Sequence, residues 1–178
     1  MVLVLMGIIL SMTTLSVGDG GKYRELEEEA NRLKTLINMA REEAILRSQD
    51  WVIAFTKDAY RFEQEEDKGE EHADPRSTPG NETNKVKYVP IKDSLFRERE
   101  LAGYQLSLFI DEQAYIEKPE AEGEDEEDVL GRIYIYSSGE LSDSFEVNLE
   151  QEDGEDKFTL KANLFGELDL KSSRDEGI

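Results

Sequence analysis

The chain has 178 residues, of which 42 are acidic and 21 are basic, so its formal net charge at pH 7 is -21. So large an acidic excess argues against a nucleic-acid-binding protein, because neutralising phosphates requires clustered Lys and Arg side chains. The sequence contains no cysteine, which excludes disulfide bonds, thiolate metal sites and cysteine nucleophiles.

The chain begins with an uncharged apolar segment, residues 1–17. A cleaved signal peptide is disfavoured, because no Lys or Arg precedes the apolar run and Ser11-Met12-Thr13 is a poor cleavage site. A buried core helix would need a larger surrounding domain. We therefore predict a membrane helix, although at helical rise the segment reaches only about 25 Å of a hydrocarbon core about 30 Å thick. This shortfall predicts that apolar residues and a basic leader are encoded upstream of Met1.

An amphipathic helix is predicted over residues 22–47, after Gly18-Asp19-Gly20-Gly21, whose glycines are expected to interrupt the apolar helix. The apolar stripe of this second helix recurs at alternating steps of four and three residues and consists of Leu26, Ala30, Leu33, Ile37, Ala40 and Ala44. Four further residues are expected to widen the stripe: Leu36, Met39, Ile45 and Leu46. We expect the stripe to pack against the rest of the domain; alternatively, its edges also contact neighbouring subunits.

From Trp51, a predicted core anchor, the apolar period changes to two, which is typical of strands. The segments predicted as strands are 51–56, 59–63, 86–89, 104–110, 114–117, 132–136, 145–149, 157–162 and 164–170. The first two are expected to form a hairpin, as are 145–149 and 157–162. Residues 48–178 are thus predicted to form an antiparallel sheet or small sandwich, covered on one face by the helix and interrupted by acidic loops at 65–85 and 118–128.

Motifs for catalysis, phosphate binding or zinc binding are missing from the sequence. His72, the single histidine, lies in an acidic loop, where a bystander is favoured over a general base. The acidic run 122–128 lacks the spaced ligands of a calcium loop, so a solvated charge run is favoured. Asn81-Glu82-Thr83 matches the glycosylation sequon, a pattern short enough to recur by chance. No cofactor and no metal site are predicted.

Several segments resemble a known family. The segment VLVLMGIILSM resembles the interior of a pilin-type signal sequence. Residues 42–64, EEAILRSQDWVIAFTKDAYRFEQ, closely resemble the GspH family of type II secretion minor pseudopilins. RIYIYSSGELSDSFEVNL and DKFTLKANLFGELDL, residues 132–149 and 156–170, resemble the strand–turn–strand ending of that family and of the related FimT-type minor pilins.

The resemblance implies an α+β, pilin-like fold, with a long N-terminal helix packed on a C-terminal antiparallel β-sheet domain. It implies a non-enzymatic minor pseudopilin of the inner membrane, single-pass, with its C-terminal domain in the periplasm. The expected partners are other minor pseudopilins of a tip complex and the major pseudopilin, which the subunit links in support of protein export across the outer membrane. The implied membrane and filament-core residues are Val2, Leu3, Val4, Leu5, Met6, Gly7, Ile8, Ile9 and Leu10.

The family's prepilin cleavage glycine, N-methylated Phe and nearby Glu have no counterpart in this sequence, and the position of Gly7 places them upstream of Met1. Two other classes stay open. A FimT-like minor pilin of a type IV pilus shares the architecture, but DNA binding by such a pilin needs a basic patch. A membrane-tethered periplasmic enzyme needs a pocket with converging polar groups.

Overall fold

A computed structural model describes residues 18–65, 88–111, 113–114, 129–151, 154 and 156–175. Over these residues the protein has one helix, α1, which spans Gly18–Arg47. The glycine-rich segment 18–21 forms the first turn of this helix, which therefore begins at Gly18 rather than at residue 22. The predicted interruption between this helix and the apolar segment 1–17 stays a prediction, because residues 1–17 lie outside the described residues. Each of the three glycines of the helix costs up to about 1 kcal/mol relative to alanine, and packing of the rest of this long helix on the sheets offsets that cost.

The C-terminal end of α1 is closed by a Schellman motif at Ser48. Ser48 has a left-handed backbone, with φ of 53°. Its N–H donates to the carbonyl of Ile45 at 3.3 Å, and the N–H of Gln49 donates to the carbonyl of Ala44 at 3.1 Å. These two bonds satisfy carbonyls that the helix end leaves without partners. The chain then turns directly into the first strand.

The strands form two five-stranded sheets. Their bounds are β1 Trp51–Thr56, β2 Ala59–Glu65, β3 Tyr88–Pro90, β4 Arg99–Glu100, β5 Tyr104–Ile110, β6 Gln113–Ala114, β7 Val129–Ile135, β8 Phe145–Gln151, β9 Lys157–Ala162 and β10 Leu168–Ser172. The first sheet has the order β3-β2-β1-β7, with β4 also paired to β2, and the second has the order β10-β9-β8-β5-β6. Every strand pair is antiparallel. Helix α1 contacts strands of both sheets, so one apolar core joins all three layers.

Both predicted hairpins are confirmed. Strands β1 and β2 pair with Ile53 opposite Phe62, and strands β8 and β9 pair with Val147 opposite Leu160. The whole of β1 is buried. Trp51 is buried as predicted, and its ring meets Phe96 edge-on at a centroid distance of 4.9 Å.

Several predicted strand bounds are wrong. The last strand is Leu168–Ser172 rather than 164–170, because residues 163–166 form a turn in which the N–H of Gly166 donates to the carbonyl of Asn163. Strand β7 begins at Val129 rather than at Arg132, and Glu65 belongs to β2 rather than to a loop. Pro90 lies within β3 at the edge of its sheet, where a missing N–H is tolerated. Residues 86–87, 115–117 and nearly all of both predicted acidic loops lie outside the described residues.

Candidate functional site

The structure brings the six stripe residues of α1 together on the two sheets. All six are essentially fully buried: Leu26, Ala30, Leu33, Ile37, Ala40 and Ala44. Three of the six are alanines, which allow the helix backbone to approach the sheets closely. The nine apolar residues assigned to a membrane and filament-core helix, Val2 to Leu10, lie outside the described residues.

Three of the four residues expected to widen the buried stripe are exposed instead. Leu36 is buried, but Met39, Ile45 and Leu46 face solvent, and Leu46 is 78% exposed. At about 100° per residue, Met39 and Leu46 lie on the side of the helix opposite the stripe. Near its C-terminal end, the helix is therefore two-sided: one apolar face lies in the core, and the opposite side exposes the apolar side chains of Met39 and Leu46 to solvent.

Arg41 connects α1 to two loops. Its Nε donates to the carbonyl of Gly139 at 2.9 Å, one terminal nitrogen donates to the carbonyl of Gly166 at 2.7 Å, and the other donates to that of Phe165 at 2.7 Å. The guanidinium group thus binds the β7–β8 turn and the β9–β10 turn simultaneously. A hydrogen bond from the N–H of Leu141 to the carbonyl of Leu164, at 2.8 Å, joins the same two loops.

The β9–β10 turn that Arg41 holds presents two exposed apolar side chains. Leu164 is 50% exposed and Phe165 is 71% exposed. Sequence patterning missed this feature, because both residues were placed in a strand. The position of Arg41 in the sequence could have indicated a contact with a loop, because a basic residue at the border of the apolar stripe can reach loops beside the helix.

The other end of α1 is joined to the first sheet by ionic contacts. Glu29 accepts hydrogen bonds from Arg99 and from Arg32, and its hydrogen bond raises the pKa of Arg99. The hydroxyl of Tyr60 is buried nearby and finds no hydrogen-bond partner within the described segments. Burial, followed by the negative charge of Glu29, raises the pKa of Tyr60 to about 12.

A buried carboxylate sits on the first sheet. Glu63 accepts from Nε of Arg61 at 2.7 Å and from Nε of Arg132 at 3.4 Å. Burial lowers the pKa of Arg61, but the hydrogen bonds and negative charges of Glu63 and Glu98 together outweigh that effect and raise it overall. This triad joins β2 to β7 across β1.

The described part of the chain contains no cluster of potential metal ligands. No three acidic or histidine side chains converge there in a way that would hold a metal ion. His72, the acidic run 122–128 and the Asn81 sequon lie outside the described residues. Across the same described ranges, no helix has the combination of length and hydropathy needed to span a bilayer.

Comparisons with known proteins agree with the resemblance of the sequence. The chain is 26% identical over 178 residues to the type II secretion system protein H of Aeromonas hydrophila, covering 99% of this chain and 91% of that protein. Its fold is similar to the crystal structure of the minor pseudopilin EpsH from the type II secretion system of Vibrio cholerae, with a TM-score of 0.57 and 20% identity, covering 83% and 93% of the two chains. The solution structure of E. coli GspH matches with a TM-score of 0.56 and 16% identity, covering 92% and 99%.

The match to a protein family covers strands of both sheets and the greater part of α1. The model of the family described as type II transport protein GspH matches residues 29–161, which is more than half of the chain. The match includes Arg41, the stripe residues from Ala30 onward and strands β1 to β8 with most of β9. This chain therefore belongs to the GspH family of type II secretion minor pseudopilins and has its α+β, pilin-like fold.

Proposed function

We propose that this minor pseudopilin joins the tip complex of the pseudopilus, where it links the other minor pseudopilins to the major pseudopilin and so supports export of folded proteins across the outer membrane. The observation that carries the proposal is the two-sided C-terminal half of α1. One face is buried on the sheets, while Met39, Ile45 and Leu46 expose apolar surface on the same helix. Apolar groups that a lone subunit leaves in water gain free energy when a neighbouring subunit covers them.

The N-terminal segment completes the proposal. Residues 1–17 carry no charge, and we assign them to a single inner-membrane helix, with residues 2–10 entering the filament core after assembly. The domain from residue 48 onward would then lie in the periplasm. Hydroxyl and small side chains in this segment, among them Gly7, Ser11 and Ser16, suit close packing of helices, first in lipid and then against other subunits.

The proposed role is structural and involves no catalytic step, cofactor or nucleic acid. The net charge of -21 repels phosphate backbones, which disfavours nucleic acid as a partner. The exposed apolar surface of α1 is assigned to assembly with neighbouring subunits.

Deletion and complementation test the proposal. Deleting the gene in its own organism should abolish secretion of type II exoproteins into the medium, and the full chain should restore it. A Leu46→Glu variant should fold, because Leu46 is 78% exposed, yet it should fail to restore secretion. The exposed Lys171→Glu variant in β10 is the matched control and should complement. Normal secretion in the deletion strain would refute the proposal.

A further inference from the structure

A groove runs between the C-terminal half of α1 and the segment that joins β3 to β4. Its volume is about 140 Å³, which matches a cavity that takes one small organic group. The floor is apolar and consists of the buried side chains of Trp51, Ile91 and Phe96. The groove is therefore large enough for a single side chain of a partner and offers that side chain an apolar surface.

The rim of the groove combines exposed apolar groups with carboxylates. Met39, Leu46 and Leu95 supply the apolar part. The segment carrying Leu95 is ordered locally, because the N–H of Leu95 donates to a carboxylate oxygen of Asp93 at 2.8 Å. A fixed rim lowers the entropy that a partner's binding would otherwise cost.

The charge of the rim is negative. Its ionisable groups are Glu42, Glu43, Asp93 and Arg47, so three carboxylates face one guanidinium. Arg47 is already paired with Glu43 at 2.6 Å. Within the part of the chain that the structure describes, Glu42 has no cationic partner. The groove thus has an apolar floor and a rim with excess negative charge, and the whole chain is strongly acidic as well.

We propose that this groove binds the side chain of a lysine or arginine on a neighbouring pseudopilin, and this inference rests on the function proposed above. The aliphatic stem of such a side chain would cover the apolar floor while its cationic head pairs with Glu42 and Asp93. Long basic side chains pack in this divided way, with the stem on apolar surface and the charge at the rim. A second copy of this chain is disfavoured as the occupant, because two acidic surfaces repel each other.

Site-specific photo-cross-linking tests the groove directly, since a chain without cysteine can be labelled at one introduced thiol. The full-length chain in detergent, with Leu95→Cys and a benzophenone maleimide, is irradiated together with the purified other pseudopilins of the same secretion system. The matched control is Leu164→Cys, because the two leucines are 46% and 50% exposed. We expect the Leu95→Cys label to form adducts that map beside a lysine or arginine of one pseudopilin.

Charge variants complete the experiment. In the Leu95→Cys chain, Glu42→Lys should lower the adduct yield about fivefold, whereas the exposed Glu150→Lys in β8 should leave it unchanged. A circular dichroism spectrum that matches the parent chain shows that each variant is folded.

Three results would refute binding of a basic side chain in the groove while leaving the proposed function intact. The first is adducts only with a second copy of this chain, and the second is an adduct yield that Glu42→Lys does not change. The third is adducts from Leu164→Cys but not from Leu95→Cys. Absence of adducts from both positions, together with normal secretion in the deletion strain, would instead refute the proposed function and the groove with it.

Discussion

The guanidinium of Arg41 lies directly against the backbone of Gly166. A Cβ built on Gly166 would be only 2.2 Å from Cζ of Arg41, and Gly166 has a φ of +74°. Any other residue at this position would therefore meet two obstacles, a strained left-handed backbone and the displacement of the side chain that holds both loops to α1. Through this side chain, α1 holds two turns that are distant from it in the sequence in fixed positions against the helix.

We expect Gly166→Ala to lower the free energy of unfolding by about 2–4 kcal/mol, of which about 1 kcal/mol is backbone strain and the rest is loss of the Arg41 hydrogen bonds. Gly103→Ala is the matched control, since Gly103 has a similar φ of +83° but nothing within 4 Å of its Cβ position. Its expected cost is about 1 kcal/mol. Urea unfolding measures both, and equal losses would show that the Arg41 contact contributes nothing.

Arg41→Met should lower the free energy of unfolding by about 2–4 kcal/mol, because three hydrogen bonds from one charged group are lost while the apolar stem is kept. Arg32→Met on the same helix should cost less than about 0.5 kcal/mol, since the half-exposed side chain of Arg32 pairs with Glu29 one turn away. The double variant Gly166→Ala, Arg41→Met should cost less than the sum of the two single variants, because each disrupts the same contact. Additive losses would contradict this coupling.

Tyr60→Phe should be neutral or stabilising near neutral pH, because it removes a buried hydroxyl that lacks a partner over the described residues. At alkaline pH the two proteins should diverge. An unfolded tyrosine ionises near pH 10, whereas folded Tyr60 stays protonated until about pH 12. Its ionisation in the unfolded state therefore lowers stability as the pH rises from about 10 to 12.

The predicted difference is about 2 kcal/mol by pH 12, present in the parent protein and missing in the Tyr60→Phe variant. Denaturant unfolding at pH 9 and at higher pH values measures it. Parallel stability curves for the two proteins would show that Tyr60 ionises equally in the folded and unfolded states. A loss of more than about 1 kcal/mol at neutral pH would show instead that the hydroxyl has a hydrogen-bond partner.

Glu63→Gln should lower the free energy of unfolding by about 2 kcal/mol, because it removes the buried negative charge that accepts hydrogen bonds from Arg61 and Arg132. Asp169→Asn removes an ion pair with Lys171 in which both side chains are more than half exposed, and it should cost less than about 0.5 kcal/mol. Thermal or urea unfolding compares the two variants. Similar small losses would mean that solvent screens the Glu63 triad.

The sequence allowed the large elements to be predicted, but fewer of the contacts between them. The β1–β2 and β8–β9 hairpins were predictable because alternating apolar residues and short polar turns are local signals. The error at the last strand arose because Leu164 and Phe165 continue an apolar run, and only the backbone conformation of Gly166 shows that the chain turns there. Met39 and Leu46 were wrongly expected to widen the buried stripe of α1. They are apolar, but their angular positions on the helix place them away from the stripe.

The surface features were harder to predict because they depend on long-range contacts. Arg41 reaches carbonyls about a hundred residues away or more along the chain, a distance over which no local pattern operates. The groove likewise forms between α1 and the segment before β4, and only the fold brings Glu42 close to Asp93. The family resemblance predicts the role of the chain, and the exposed side of α1 and the groove beside it are the surfaces on which that role can be tested.

Co-purification tests the central claim, assembly with other pseudopilins, most directly. The tagged full-length chain is expressed at its natural level in its own organism, purified from detergent-solubilised membranes, and its partners are identified by mass spectrometry. We predict that the other minor pseudopilins and the major pseudopilin co-purify with the parent chain, and that Leu46→Glu loses them while Lys171→Glu retains them. Recovery of the chain without any of these proteins, together with normal secretion in the deletion strain, would contradict the claim.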